Sequence, residues 1–146
     1  MIGLEESLKQ NGIYVTSTKG DSMNPMLVEG RDKVVIVPPV FPLKKHDIPV
    51  YRKQGHYTMH RIVKVTKKGY IICADNRGVL ETAVRESDIV GMLEGFYQGD
   101  KYIGREDEAY AEYSRLAEKT LLKRVLKRYT KRAIEKLRSI KKEQCR

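Results

Sequence analysis

The stretch Tyr57-Thr58-Met59-His60-Arg61-Ile62-Val63-Lys64-Val65-Thr66-Lys67-Lys68-Gly69-Tyr70-Ile71-Ile72-Cys73-Ala74 decides the fold class. Tyr57, Met59, Arg61, Val63 and Val65 alternate with Thr58, His60, Ile62 and Lys64. That period of two is the pattern of a strand with two unlike faces. Lys67-Lys68-Gly69 reads as a turn and Tyr70–Ala74 as the returning strand, so a β-hairpin is predicted here.

Short strands recur on both sides of it. Ile13–Ser17 is alternating and β-branched, and Lys33–Val37 is a buried-type run closed by Pro38, Pro39 and Pro42, which cannot continue a ladder. Asp47–Lys53 is expected at a sheet edge because Pro49 lies inside it. Ile89–Tyr97 and Lys101–Ile103 are joined by the turn Gln98-Gly99-Asp100. Closely spaced strands with almost no helix between them predict a mainly β core, antiparallel or mixed. A short helix, Ile2–Gln10, precedes it and ends at Asn11-Gly12.

The composition shifts at about Gly104, which divides the chain into a β core (residues 1–104) and a helical tail (105–146). In the tail Leu116, Leu121, Leu122, Val125, Leu126, Tyr129, Ala133, Ile134, Leu137 and Ile140 recur at helical steps, with Lys and Arg on the other face. A continuous helix to Lys142 would be ~50 Å long, more than a core of this size can cover.

The formal charge of +10 is unevenly placed. Residues 1–112 carry 16 Lys/Arg against 16 Asp/Glu, whereas residues 113–146 carry 13 against 3. A uniformly basic nucleic-acid-binding domain would not divide this way. Cys73 and Cys145 form neither a disulfide framework nor a zinc site, and no metal or cofactor is implied. With two free thiols, no apolar run of spanning length and a polar start, the expected location is cytoplasmic. Two occupants of the tail helix are open: an anionic membrane at the inner face of the bilayer, or the protein's own core or a second copy. Nucleic acid is a weaker third, since only Tyr113 and Tyr129 offer stacking. Nothing in the sequence sets an oligomeric state.

The segment that carries chemistry is Thr18-Lys19-Gly20-Asp21-Ser22-Met23-Asn24-Pro25-Met26-Leu27. A serine hydroxyl needs a base to take its proton. Gly20 permits a tight turn, backbone amides around Gly20 and Asp21 can hold an oxyanion, and Met23 would anchor the loop. The same residues also suit an ordinary turn. His60 can take and return a proton near neutral pH, while His46 and His56 read as surface residues.

Gly20-x-Ser22-Met23-x-Pro25-Met26-Leu27 resembles the nucleophile motif of type I signal peptidases, with Met26 where Thr is usual. Its Gly-Asp-Ser-Met core is similar to that of LexA-type self-cleaving proteins. Thr58–Val63 resembles the His-Arg-Ile/Val block of the His-type signal peptidases, Cys73–Arg77 their Gly-Asp-Asn block, and Ser87–Gly91 their closing Ile-Val-Gly strand. The resemblance covers residues 13–97 and implies a signal-peptidase/LexA-like β core bearing a serine peptidase. Ser22 would be the nucleophile, His60 the base, and Asp75 or, failing it, Glu81 the orienting carboxylate. The substrate would be an extended polypeptide with small residues on the acyl side of the cut, such as a leader peptide. The sequence departs from the family at Gly20, where bacterial members carry a hydroxyl, at Ala74, and in lacking a membrane-spanning anchor. A non-catalytic peptide-binding module retaining the fold is the competing reading.

Overall fold

A computed structural model describes residues 3–145. In chain order they form helix α1 (Leu4–Asn11), strands β1 (Tyr14–Ser17), β2 (Asp32–Val37), β3 (Pro49–Lys53), β4 (His56–Met59), β5 (Arg61–Thr66), β6 (Gly69–Cys73) and β7 (Glu81–Val84), a short 3-10 turn (Glu86–Asp88), strands β8 (Ile89–Gln98) and β9 (Lys101–Gly104), and helix α2 (Glu108–Gln144). Helix and strand each take about 34% of the described residues. The expectation of a mainly β protein is therefore corrected to a mixed one, because the 37 residues of α2 offset the short strands. The proposed start of the first helix at Ile2 lies outside the described residues; its end is capped by Gly12 in the left-handed region, as Asn11-Gly12 suggested.

The hairpin's first arm is two strands rather than one. β4 closes a sheet of order β1-β2-β8-β3-β4, with β9 also on β8, whereas β5 opens a separate three-stranded sheet β5-β6-β7. The chain changes sheet at His60, which belongs to neither strand. All pairings are antiparallel. β3 is not an edge: it lies between β8 and β4. Pro49 is tolerated because it is the strand's first residue, where β4 does not reach, since that pairing begins at Val50. β7 was not foreseen; its residues Glu81-Thr82-Ala83-Val84 lack a clear apolar alternation. One core cluster, including Met23, Met26, Leu27, Val34, Leu93 and Phe96, lies beneath the larger sheet, and a second, including Tyr51, Ile62, Tyr70 and Ile72, joins it to the smaller.

The boundary at Gly104 is a change of secondary structure rather than of packing. Tyr110, Ser114 and Ala117 of α2 are buried, and Leu121, Arg124, Val125 and Arg128 are half-buried. Gly78 shows how closely the helix approaches: a Cβ there would lie 2.1 Å from the Arg124 carbonyl oxygen. Arg124 in turn donates to the carbonyl oxygens of Ala74 (2.6 Å) and Arg77. His46 is also drawn in, half-buried, with Nε2 3.2 Å from Glu118 of α2, whereas His56 is exposed as expected. From Tyr129 to Cys145 every residue is exposed. Among the described residues no helix is long and apolar enough to cross a membrane.

This packing predicts a position-dependent response to truncation. A chain ending at Glu112 loses Ser114, Ala117 and Arg124 and should aggregate or unfold without cooperativity. A chain ending at Thr130 should keep its melting temperature within about 2–4 °C of the full-length value. Calorimetry of the two truncations checks this; equal stability would mean that the helix contributes nothing to the core.

Candidate active site

The serine segment is held by its own turn and by the loop that follows β6. The Asn24 N–H donates to the Asp21 carbonyl (3.0 Å) and the Leu27 N–H to that of Met23 (3.0 Å). Met23, Met26 and Leu27 are buried beneath the turn. From the loop after β6, the Asn76 N–H donates to the Ser22 carbonyl (2.8 Å), Asn76 Nδ2 donates to the Asp21 carbonyl (3.2 Å), and Arg77 pairs with the Asp21 carboxylate. That guanidinium holds the Asp21 carboxyl below its usual range. The serine's backbone is thereby fixed from both sides.

His60 emerges from the break between β4 and β5 with Nε2 3.3 Å from Ser22 Oγ. On its far side Nδ1 lies 3.3 Å from the Tyr51 hydroxyl and 3.7 Å from Glu81 Oε1. Tyr51 donates its one proton to Glu81 Oε2 (2.9 Å), and Lys53 Nζ donates to Glu81 Oε1 (3.0 Å). The Tyr51 oxygen is then left to accept from Nδ1–H, which puts the imidazole lone pair on Nε2, facing the serine. The resulting chain runs from Ser22 through His60 and Tyr51 to Glu81.

Burial pushes the His60 imidazole below its ordinary value of 6.5, the Glu81 carboxylate pulls it back up, and Lys53 pushes it down again. The net shift is downward, so His60 is neutral and able to accept a proton at neutral pH. Burial, reinforced by Glu81, raises the Tyr51 phenol above its ordinary value, so its hydroxyl stays a donor.

Asp75 does not take the part expected of it. Its carboxylate receives Nε and Nη2 of Arg61 at 2.8 and 2.7 Å in a buried bidentate pair, and its charge reaches His60 through space, as the smallest of the effects that raise the imidazole. A guanidinium buried to 1% exposure demands such a partner. Of the two carboxylates weighed, it is Glu81 that stands at His60. Gly20 also departs from expectation. Its φ of +78° explains why glycine is needed, but its N–H donates to Glu29 Oε2 (2.9 Å) and is not free for an oxyanion. Among the described residues no acceptor takes the Ser22 N–H, so that amide is free to donate.

Tyr51 and Lys53 were missed, although a signal existed. Gln54-Gly55 is a two-residue hairpin turn, both residues with positive φ. It sets Tyr51 opposite Thr58 and Lys53 opposite His56. Alternation then places Tyr51 and Lys53 on the face that Thr58 and His60 share. Among the described residues no group of three or more His, Cys, Asp or Glu could hold a metal ion.

Ser22 and His60 open into a cleft of about 440 Å³. Tyr14 and Thr16 of β1 line one side and Tyr57, Thr58 and Met59 of β4 the other, over an apolar floor that includes Leu27 and Val34. The two end strands of the larger sheet thus curl round to face one another across the serine. A larger cleft, about 600 Å³, lies between the Val40–Pro42 loop and the first turns of α2 and contains neither residue.

The separation of Asp75 from His60 gives a testable contrast. Asp75→Asn leaves the Arg61 guanidinium buried without its counter-charge and should cost about 3–5 kcal/mol of stability. Glu81→Gln should leave the melting temperature nearly unchanged. Thermal unfolding of both variants checks the assignment, and a stable Asp75→Asn protein would contradict it.

The chain matches no protein-family model, and no curated protein is recognisably similar to it in sequence.

Proposed function

We propose that this protein is a serine endopeptidase of the signal-peptidase/LexA type that cleaves an extended polypeptide. The observation that carries the reading is the 3.3 Å contact between Ser22 Oγ and His60 Nε2 at the mouth of a cleft bordered by two unpaired strand edges. An extended peptide can pair with the free edges of β1 and β4, so that main-chain hydrogen bonds supply affinity and alternate side chains enter the apolar floor. Ser22 Oγ attacks the scissile carbonyl carbon while Nε2 takes the hydroxyl proton. The oxyanion forms beside the Ser22 N–H. The imidazolium is steadied by Glu81 through Tyr51, and Nε2 then returns the proton to the leaving amine. Water, activated by the same nitrogen, releases the acyl group from Ser22.

The ordered Ser22, His60 and Asp75 blocks support the family reading, with the parts of the two carboxylates divided. In this geometry Asp75 fixes the scaffold and Glu81 serves the base.

Cleavage of a panel of extended peptides, with small residues on the acyl side, tests the proposal. Ser22→Ala and His60→Ala should each lower kcat/KM by at least about 10³-fold. Because the base must be neutral, activity should rise with pH through an apparent pKa below 6.5. Glu81→Gln removes the group that raises His60, so this limb should move to lower pH while kcat falls. Tyr51→Phe should lower kcat with little change in KM. Full activity in Ser22→Ala would overturn the proposal. A Glu81→Gln limb shifted upward would overturn the role given to Glu81.

A further inference from the structure

Helix α2 has two apolar faces, and only one of them is covered. At 3.6 residues per turn, Tyr110, Ser114, Ala117, Leu121 and Val125 centre on the side that meets the core, whereas Leu122, Leu126, Tyr129, Ala133, Leu137 and Ile140 fall within about 80° of arc, roughly 120° further round. This second stripe is exposed: Leu122 is 69% accessible, Leu126 55%, Tyr129 63% and Leu137 66%. It continues past Arg128, the last residue that the core partly covers. A run of this kind along one face is not the scatter of single apolar residues normal on a surface.

The charge around the stripe selects its occupant. Between Lys119 and Cys145 there are eleven Lys or Arg residues against Glu135 and Glu143, a net of +9. A second copy packed on the stripe would bring an equal positive charge within the ~8 Å screening length. Nucleic acid would answer the charge but leave the leucines in water, with Tyr129 the one aromatic on the stripe. An anionic lipid surface answers both, since the acyl boundary takes the apolar face and the headgroups take the flanking cations. We propose that the Leu122–Ile140 face of α2 lies in the interface of an anionic membrane. The β core, packed on a different side of the same helix, stays in water. This inference stands independently of what Ser22 does.

Co-sedimentation of the full-length protein with vesicles of phosphatidylcholine containing about 30% phosphatidylserine tests it, with pure phosphatidylcholine as the comparison. Binding to the anionic vesicles should be at least about tenfold stronger than to the neutral ones, and most of it should be lost near 1 M salt, where the screening length is ~3 Å. The combined substitution Leu122→Ser, Leu126→Ser, Leu137→Ser should lower binding at least about tenfold while leaving the melting temperature unchanged, since none of the three packs on the core. A charge-reversal variant of two cations that flank the stripe, Lys136→Glu with Lys141→Glu, should weaken binding without touching the stripe. Equal binding to both lipids, or a triple variant that binds like the parent, overturns the proposal. So does a dimer in vesicle-free buffer that the triple variant dissolves, which would assign the stripe to a second copy. Salt-sensitive binding to RNA with no affinity for either vesicle would overturn it as well.

Discussion

The buried charge of Arg61 is the constraint on which the rest of the structure depends. A guanidinium taken out of water is strongly unfavourable unless its donors are met and its charge is balanced. Here Asp75 accepts two of its hydrogen bonds, Ser114 Oγ accepts a third at 2.7 Å, and the His46 carbonyl lies 3.3 Å away. Met26 Sδ closes the shell at 3.1 Å. These partners come from the loop after β6, from α2, from the segment before β3 and from the serine turn. Arg61 is covalently next to His60, and Asp75 is next to Asn76, whose N–H holds the Ser22 carbonyl. Satisfying one charge therefore sets His60 and Ser22 at their separation.

His60, the proposed base, is balanced between opposing effects. Desolvation and Lys53 favour the neutral imidazole, while Glu81 favours the charged one. A general base needs both tendencies: neutral before the reaction, yet able to carry a proton through the transition state. Tyr51 makes this possible at one remove. Its hydroxyl, buried and reluctant to ionise, couples His60 to Glu81 where the direct 3.7 Å approach is too long for a hydrogen bond.

The elements that local pattern controls were legible in the sequence. Gly12 and the Lys67-Lys68-Gly69 turn set the end of α1 and the β5–β6 hairpin nearly as read, whereas the strict alternation read for residues 61–66 is broken by a bulge at Val63, so that Arg61 and Ile62 are both buried and Val65 is exposed. The pairing of Ser22 with His60 was legible only because two motifs stood in a familiar order, since 38 residues separate them and no periodicity connects them. What local pattern does not control was missed. The strand containing His60 breaks because its halves join different sheets, a tertiary fact invisible to a period of two. Asp75 went to Arg61 rather than His60 because a buried guanidinium requires a carboxylate partner, and burial of Arg61 could not be read from a strand position alone. The helix was read as one tail, yet α2 carries one face for the core and another for something else.

The central claim is that Ser22 is a nucleophile made reactive by His60. Its most direct test is the intact mass of the protein after incubation with a small-residue peptide bearing a phosphonate electrophile. A single covalent adduct is expected, located on Ser22 by fragmentation, and lost in His60→Ala at unchanged peptide affinity. A protein that binds the peptide yet forms no adduct on Ser22 would contradict it and leave a peptide-binding module on the same fold.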